Sequence, residues 1–282
     1  MLKIILLALI IVIVAFVVCG LFTRKLRATH YELNSKKIKG EISAVFISDF
    51  HNCGNIKRIV NLVDEYSPDL VLFGGDLADR ISQDKKSLKL AENLSKKYKC
   101  YFAPGNHEYH LPSPEEFFEN LKNMGITVLE EQICTVMVNG NKIQICGVYD
   151  GEKLSSYGDK TQLQTVSDNS NKELYRILLA HFPMYVKSYL RRGFDLILSG
   201  HEHGGIVGIP KRNKNENKGL IGHSGFFPKF SGGEYSSRHC TMIVSRGVSS
   251  MPYNLIIPRF FNRPELVTIS IKGTDKNGQN RN

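Results

Sequence analysis

Hydrophobic positions along the chain fall into three kinds of run. Residues 4–22 are uncharged and apolar on every helical face, about the length that crosses a bilayer as a helix. From residue 42 onward, short apolar blocks alternate with segments of helical period. Blocks 42–48, 70–73, 100–102, 177–180 and 196–199 read as buried strands. Between them Ile56, Ile59, Val60 and Val63 recur at helical spacing, as do Leu88, Ala91 and Leu94. Ser113-Pro114-Glu115-Glu116 is a helix start, and Gly125 a stop. After residue 126 the pattern turns β-rich, with Asn139-Gly140-Asn141 at a hairpin turn. Residues 150–174 are polar and read as a loop excursion. Late strands follow at 242–245 and 266–271, and the polar tail beyond residue 272 reads as disordered.

This pattern predicts four segments. They are a transmembrane anchor over 1–22, a polar basic connector over 23–40, one α/β domain over 41–272 and a disordered tail over 273–282. No internal repeat is visible. A cleaved signal peptide would want a shorter apolar core and small residues before the cut, and Phe16-Val17-Val18 supplies neither. An uncleaved anchor therefore fits the N-terminus best.

The net charge of +10 changes meaning once it is located. Residues 1–40 hold seven basic residues (Lys3, Arg24, Lys25, Arg27, Lys36, Lys37 and Lys39) against Glu32. Most of the excess is thus next to the apolar run. It fits topology or anionic lipid head groups rather than a long nucleic-acid surface. Arg24, Lys25 and Arg27 outweigh Lys3, which favours the cytoplasmic side for the chain that follows. The six cysteines show no close pairing and imply no disulfide framework.

The candidate chemistry lies in five short motifs. They read Asp49-Phe50-His51, Gly75-Asp76, Gly105-Asn106-His107-Glu108, His181 and Gly200-His201-Glu202-His203. Five of the nine histidines fall inside them. Asp, Asn and His are the donors that suit Mn, Fe or Zn. Each motif directly or closely follows a buried-strand block, and in layered α/β folds the carboxyl ends of strands are where ligands bind. A dinuclear phosphoryl-transfer site needs an anionic bridge between its ions, neutral imidazoles around them and a separate proton donor.

Taken in order, these blocks resemble the calcineurin-like metallophosphoesterase family, over roughly residues 42–271. The Gly204-Gly205 extension, Val244-Ser245-Arg246-Gly247 and Phe261-Asn262-Arg263-Pro264-Glu265 resemble a bacterial, membrane-associated branch of it. The resemblance implies a four-layered α/β sandwich of two mixed β-sheets flanked by helices, with two divalent metal ions. It implies that Asp49, His51 and His203 hold one metal, that Asp76 bridges, and that Asn106, His181 and His201 hold the other. His107 would contact the substrate phosphate as general acid, Asp79 would orient it, and Asn106 and Arg246 would meet the substrate. A structural ion pair is the competing role for Arg246.

Three functions fit this reading. One is a membrane-anchored phosphoesterase acting on a phosphoester, phosphodiester or pyrophosphate, lipid-linked or from the cell envelope. The second is a nuclease or cyclic-nucleotide phosphodiesterase with the same centre. The third is a non-catalytic scaffold, which would be expected to have lost ligands or His107; none is missing.

Overall fold

A computed structural model describes residues 2–22, 25–52, 54–79, 84–149, 161–205, 207–208, 219–222, 224–237, 239–249 and 259–274, with side chains of the first segment described through residue 18. The first half runs α1 (Leu2–Phe22), β1 (Arg27–Ser35), β2 (Glu41–Ile47), α2 (Ile56–Tyr66), β3 (Leu70–Gly74), α3 (Lys85–Ser95), β4 (Lys99–Ala103), α4 (Pro114–Asn123) and β5 (Thr127–Val128). The second half begins with β6 (Gln132–Val138), β7 (Asn141–Val148), α5 (Gln162–Asn169), β8 (Tyr175–Ala180), α6 (Val186–Leu190) and β9 (Leu196–Ser199). It ends with β10 (Val207–Gly208), β11 (Gly219–Gly222), β12 (Gly225–Phe226), β13 (Gly233–Ser236), β14 (Thr241–Val244) and β15 (Glu265–Gly273).

Two mixed six-stranded sheets form, ordered β1-β15-β2-β3-β4-β5 and β13-β14-β9-β8-β7-β6. Strands β2 to β5 are parallel, as are β7, β8, β9 and β14. A small antiparallel sheet joins β10, β11 and β12.

The period-2 alternation of each central strand builds the layers. In β2, Ala44 and Phe46 join one core while Val45 and Ile47 join another. In β8, Ile177 and Leu179 meet the first core, whereas Leu178 and Ala180 face a third. The first core lies between the sheets. The second packs the outer face of one sheet against α2, α3 and α4, and the third packs the other sheet against α5 and α6. The result is the expected four-layered sandwich, with the parallel strand ends of both sheets brought to one region.

Three expectations change. Residues 27–35 of the expected connector are strand β1, parallel to β15. Only Thr29, Tyr31 and Leu33 of its alternating positions are buried, and charged or polar neighbours hide them from an apolar-run reading. The polar 150–174 segment contains α5, while residues 150–160 lie outside the described residues. The third change concerns α1. Its side chains from Leu2 to Val18 are exposed. Among the described residues no helix is long and apolar enough to cross a membrane. The expected transmembrane anchor is therefore not supported by the described residues. The tail beyond residue 274 lies outside the described residues.

Tyr31 is 1% exposed and packs in the core between the sheets. Tyr31→Ala should therefore destabilise the chain by about 3–5 kcal/mol, measured by denaturant unfolding. A loss below about 1 kcal/mol would show that β1 is not part of the folded domain.

Candidate metal centre

Five loops at strand carboxyl ends converge. Those after β2, β3 and β4 carry Asp49 and His51, then Asp76, then Asn106 and His107. Those after β8 and β9 carry His181, then His201 and His203. The loops are stapled through their backbones. Asp49 N donates to Gly75 O at 3.1 Å, His51 N to Asp76 O at 3.0 Å, and Gly200 N to His181 O at 3.0 Å. Two contacts tie one sheet's loops to the other's. His201 N donates to Asp49 Oδ1 at 2.9 Å, and His181 Nδ1 lies 2.8 Å from Gly74 O.

This closeness constrains the sequence. Gly75 has φ +87°, and a Cβ there would lie 2.6 Å from Gly105 N and 2.7 Å from His181 Nδ1. A Cβ on Gly200 would collide with Asp49 Oδ2. Only glycine allows such an approach. Asp49, His51, Asp76, His201 and His203 also have φ between 49° and 71°. That left-handed backbone costs a non-glycine residue about 1–3 kcal/mol, and such strain concentrates where side chains must be aimed.

The aimed side chains form two groups. Ligand atoms of Asp49, His51 and His203 lie within 4.8 Å of one another, and so do those of Asp76, His181 and His201. Asp76 Oδ2 stands between them, 3.8 Å from His51 Nε2 and 3.2 Å from His181 Nε2. Its Oδ1 accepts from His107 N at 2.9 Å. Asn106 offers a buried Oδ1 with no hydrogen-bond partner. A buried acceptor is rarely left unsatisfied, and this one belongs to the ligand-type set. His107 Nδ1 sits 3.3 Å from Asp79 Oδ1, and its ring centroid is 4.5 Å from that of His51.

Charge is distributed unevenly. Burial lifts Asp49 to about 6, against the pull of His181. Asp76 feels the same burial but is held well below the usual carboxylate range by His181, with His51 and His107. Burial pushes the other way on His181, yet Asp76 and Asp49 raise it to about 10. His51 falls to about 4 and His203 well below its ordinary value, both chiefly through burial. Their Nε2 atoms converge at 3.2 Å. Buried carboxylates, converging neutral imidazoles and an orphaned amide oxygen fit divalent metal ions.

Some residues take roles that the motifs did not reveal. Glu108 is fully buried and accepts from Gly105 N at 2.7 Å, Asp76 N at 2.9 Å and Ala78 N at 2.9 Å. It ties the Asp76 loop to the Asn106 loop, and only its place in the Gly-Asn-His-Glu run pointed to it. Arg246 is wholly buried, with Nη1 2.6 Å from Glu265 Oε2. The structural ion pair is the arrangement found, and the guanidinium is not open to substrate. Arg259 Nη1 and Asn262 Nδ2 donate to His203 O at 2.9 and 2.8 Å, holding the backbone of that loop from the segment before β15. Tyr109 donates to Glu130 at 2.6 Å, and His110 Nδ1 lies 2.6 Å from Asn106 O, so both brace the loop. Cys53, His223 and the Lys211-Arg212-Asn213-Lys214 cluster lie outside the described residues.

The calcineurin-like phosphoesterase family model matches residues 42–205, which include every residue of the two groups. The chain belongs to the calcineurin-like phosphoesterase family. Within it, an uncharacterized metallophosphoesterase of Helicobacter pylori is 30% identical over 67% of this chain and 51% of that protein. A Danio rerio protein named "Transmembrane protein with metallophosphoesterase domain" is 32% identical over 57% of this chain and 40% of that protein. An uncharacterized metallophosphoesterase of Aquifex aeolicus is 28% identical over 88% and 92%. The match to the Helicobacter relatives spans about half of their length. A solved structure from Thermus thermophilus is similar at a TM-score of 0.47 and 12% identity, covering 74% of this chain and 91% of that one.

Two outcomes test the centre. Glu108→Ala removes the shared acceptor of three loop amides, and it should lower metal affinity about 10–100-fold with the fold intact by circular dichroism. Unchanged affinity would remove Glu108 from the design. A ligand nitrogen must also shed its proton to bind metal. With His181 raised to about 10, loading at pH 7–8 should release about one proton, and affinity should rise with pH toward 10. Calorimetry in buffers of differing ionisation enthalpy counts the protons, and a count of zero would contradict the assignment.

Proposed function

We propose that this chain is a metal-dependent phosphoesterase with a dinuclear centre, in which Asp76 bridges, Asp49, His51 and His203 hold one ion, and Asn106, His181 and His201 hold the other. The supporting observation is Asp76 Oδ2, placed between two separate ligand groups. Bound there, two divalent ions, Mn, Fe or Zn, would supply a nucleophilic water at neutral pH and offset charge on the phosphoryl oxygens.

The chain's own residues do the rest. Asp79 faces His107 Nδ1 and orients the ring, which leaves Nε2 on the side of the ligand groups, 3.9 Å from Asp76 Oδ2. From there His107 contacts the phosphoryl group and gives a proton to the departing oxygen. The backbone amides of Gly105 and His107 are fixed by Glu108 and Asp76, so the donor is preorganised rather than recruited. The substrate is a phosphoester, phosphodiester or pyrophosphate.

A location at a membrane and a lipid-linked or cell-envelope substrate belong to the same proposal. They are supported by the exposed apolar side chains of α1 and by the name of the Danio rerio relative. The basic residues that follow α1 favour the cytoplasmic side. Digestion of the catalytic domain by protease added to intact cells would refute that side.

The direct test is turnover of nitrophenyl phosphodiester and lipid-linked pyrophosphate by the purified full chain. Chelation should abolish it and Mn, Fe or Zn should restore it. Absence of turnover with all three metals would count against the proposal. His107→Ala should keep its metals and lose about 10²–10⁴-fold in turnover of esters with poor leaving groups. The loss should shrink for nitrophenol, which leaves without a proton. Equal losses for both would contradict proton donation by His107.

A further inference from the structure

A second site lies outside the metal centre. Lys25, Leu26, Asn55, Arg58, Val248 and Pro264 line an open cavity of about 360 Å³, within the range of ligand pockets. Its charge is one-sided. Lys25 and Arg58 are its only ionisable lining residues, and among the described residues neither has an acidic partner. Asn55 caps α2, an 11-residue helix, through a side chain that accepts from Arg58 N at 3.0 Å. The positive end of that helix adds to the field of the two cations.

The surroundings carry the same sign. Arg27 follows the lining residue Leu26, and its half-buried side chain has a buried Nε with no hydrogen-bond partner. Burial lowers the Arg27 pKa; Glu265 opposes this, and Arg246 and Arg263 add to it. Glu265, the acid on this side, is already engaged by Arg246 and by Thr29 Oγ1. An uncompensated cluster of cations around a cavity calls for an anion. Leu26, Val248 and Pro264 provide an apolar wall beside it. Lys25 comes three residues after the end of α1, and three residues reach at most about 10 Å. The cavity is therefore at the foot of an exposed apolar helix.

We propose that this cavity binds a phosphate-type anion, held by Lys25 and Arg58. The chemistry is shared by a phospholipid head group and by free phosphate. The position beneath α1 favours the head group, which would set the catalytic domain against an anionic lipid surface.

The metal-loaded full chain tests this in two arms. In one, co-sedimentation is compared with vesicles of phosphatidylcholine alone and of phosphatidylcholine mixed with phosphatidylglycerol. In the other, inorganic phosphate is titrated calorimetrically. Arg58→Gln and Lys25→Gln alter exposed side chains and should leave turnover of a soluble nitrophenyl ester unchanged. Each should weaken the preference for anionic vesicles about fivefold, as expected for one basic residue near a charged surface. That result, with the wild type preferring anionic vesicles, supports the lipid source. Loss of one phosphate-binding event in both variants, without any lipid preference in the wild type, supports the site with free phosphate as its ligand. Unchanged binding in both arms would overturn the proposal, whatever the fate of the catalytic reading, which is scored separately by the soluble-ester assay.

Discussion

Asp49 and Asp76 are buried side by side where the two sheets meet, 0% and 2% exposed. Two carboxylates in such a place repel each other and lose their hydration, so they persist only with positive charge between or beside them. His181 stands beside both, its Nε2 3.2 Å from Asp76 Oδ2 and 3.9 Å from Asp49 Oδ1, and the two carboxylates raise its pKa to about 10. The rest of the architecture serves this concentration of charge. Parallel strands of opposed sheets end at one level, glycines let the loops touch, and left-handed backbone at five ligand-type residues aims their side chains inward. A structure that bears this much local strain and buried charge is arranged for cations.

The second tier of contacts explains why the strain is tolerated. Glu108 gathers three amides from two loops, and His201 N and His181 Nδ1 cross from one sheet to the other. Arg259 and Asn262 grip the carbonyl of His203. Behind them the Arg246–Glu265 pair joins the second sheet to β15, and Thr29 brings in β1. The segment that leads from α1 into the domain is thus wired into the support of the ligand-type residues. The cationic cavity at the foot of α1 lies on the same support, because Val248 in its wall donates to Ser48 O, next to Asp49.

Much of this was legible in the sequence. The central strands announced themselves as apolar blocks, and the placement of Asp49, Asp76, His181 and His201 just beyond them foretold convergence. Less visible were features whose signal is not local. β1 carries a buried residue at every second position between polar ones, so its apolar content is low although Tyr31 and Leu33 reach the core. Arg246 reads the same in sequence whether it meets substrate or Glu265, and only tertiary packing decides. The role of Glu108 depends on loops 30 residues apart in the chain. The apolar N-terminal run reads as a bilayer span by composition, whereas among the described residues no helix is long and apolar enough to cross a membrane.

The central claim is that two cations share Asp76. Crystals of the full chain grown with manganese, measured on both sides of the manganese absorption edge, test it most directly. The account predicts two anomalous peaks, one among Asp49, His51 and His203, the other among Asn106, His181 and His201, with Asp76 contacting both. A single peak, or peaks that do not share Asp76, would contradict it.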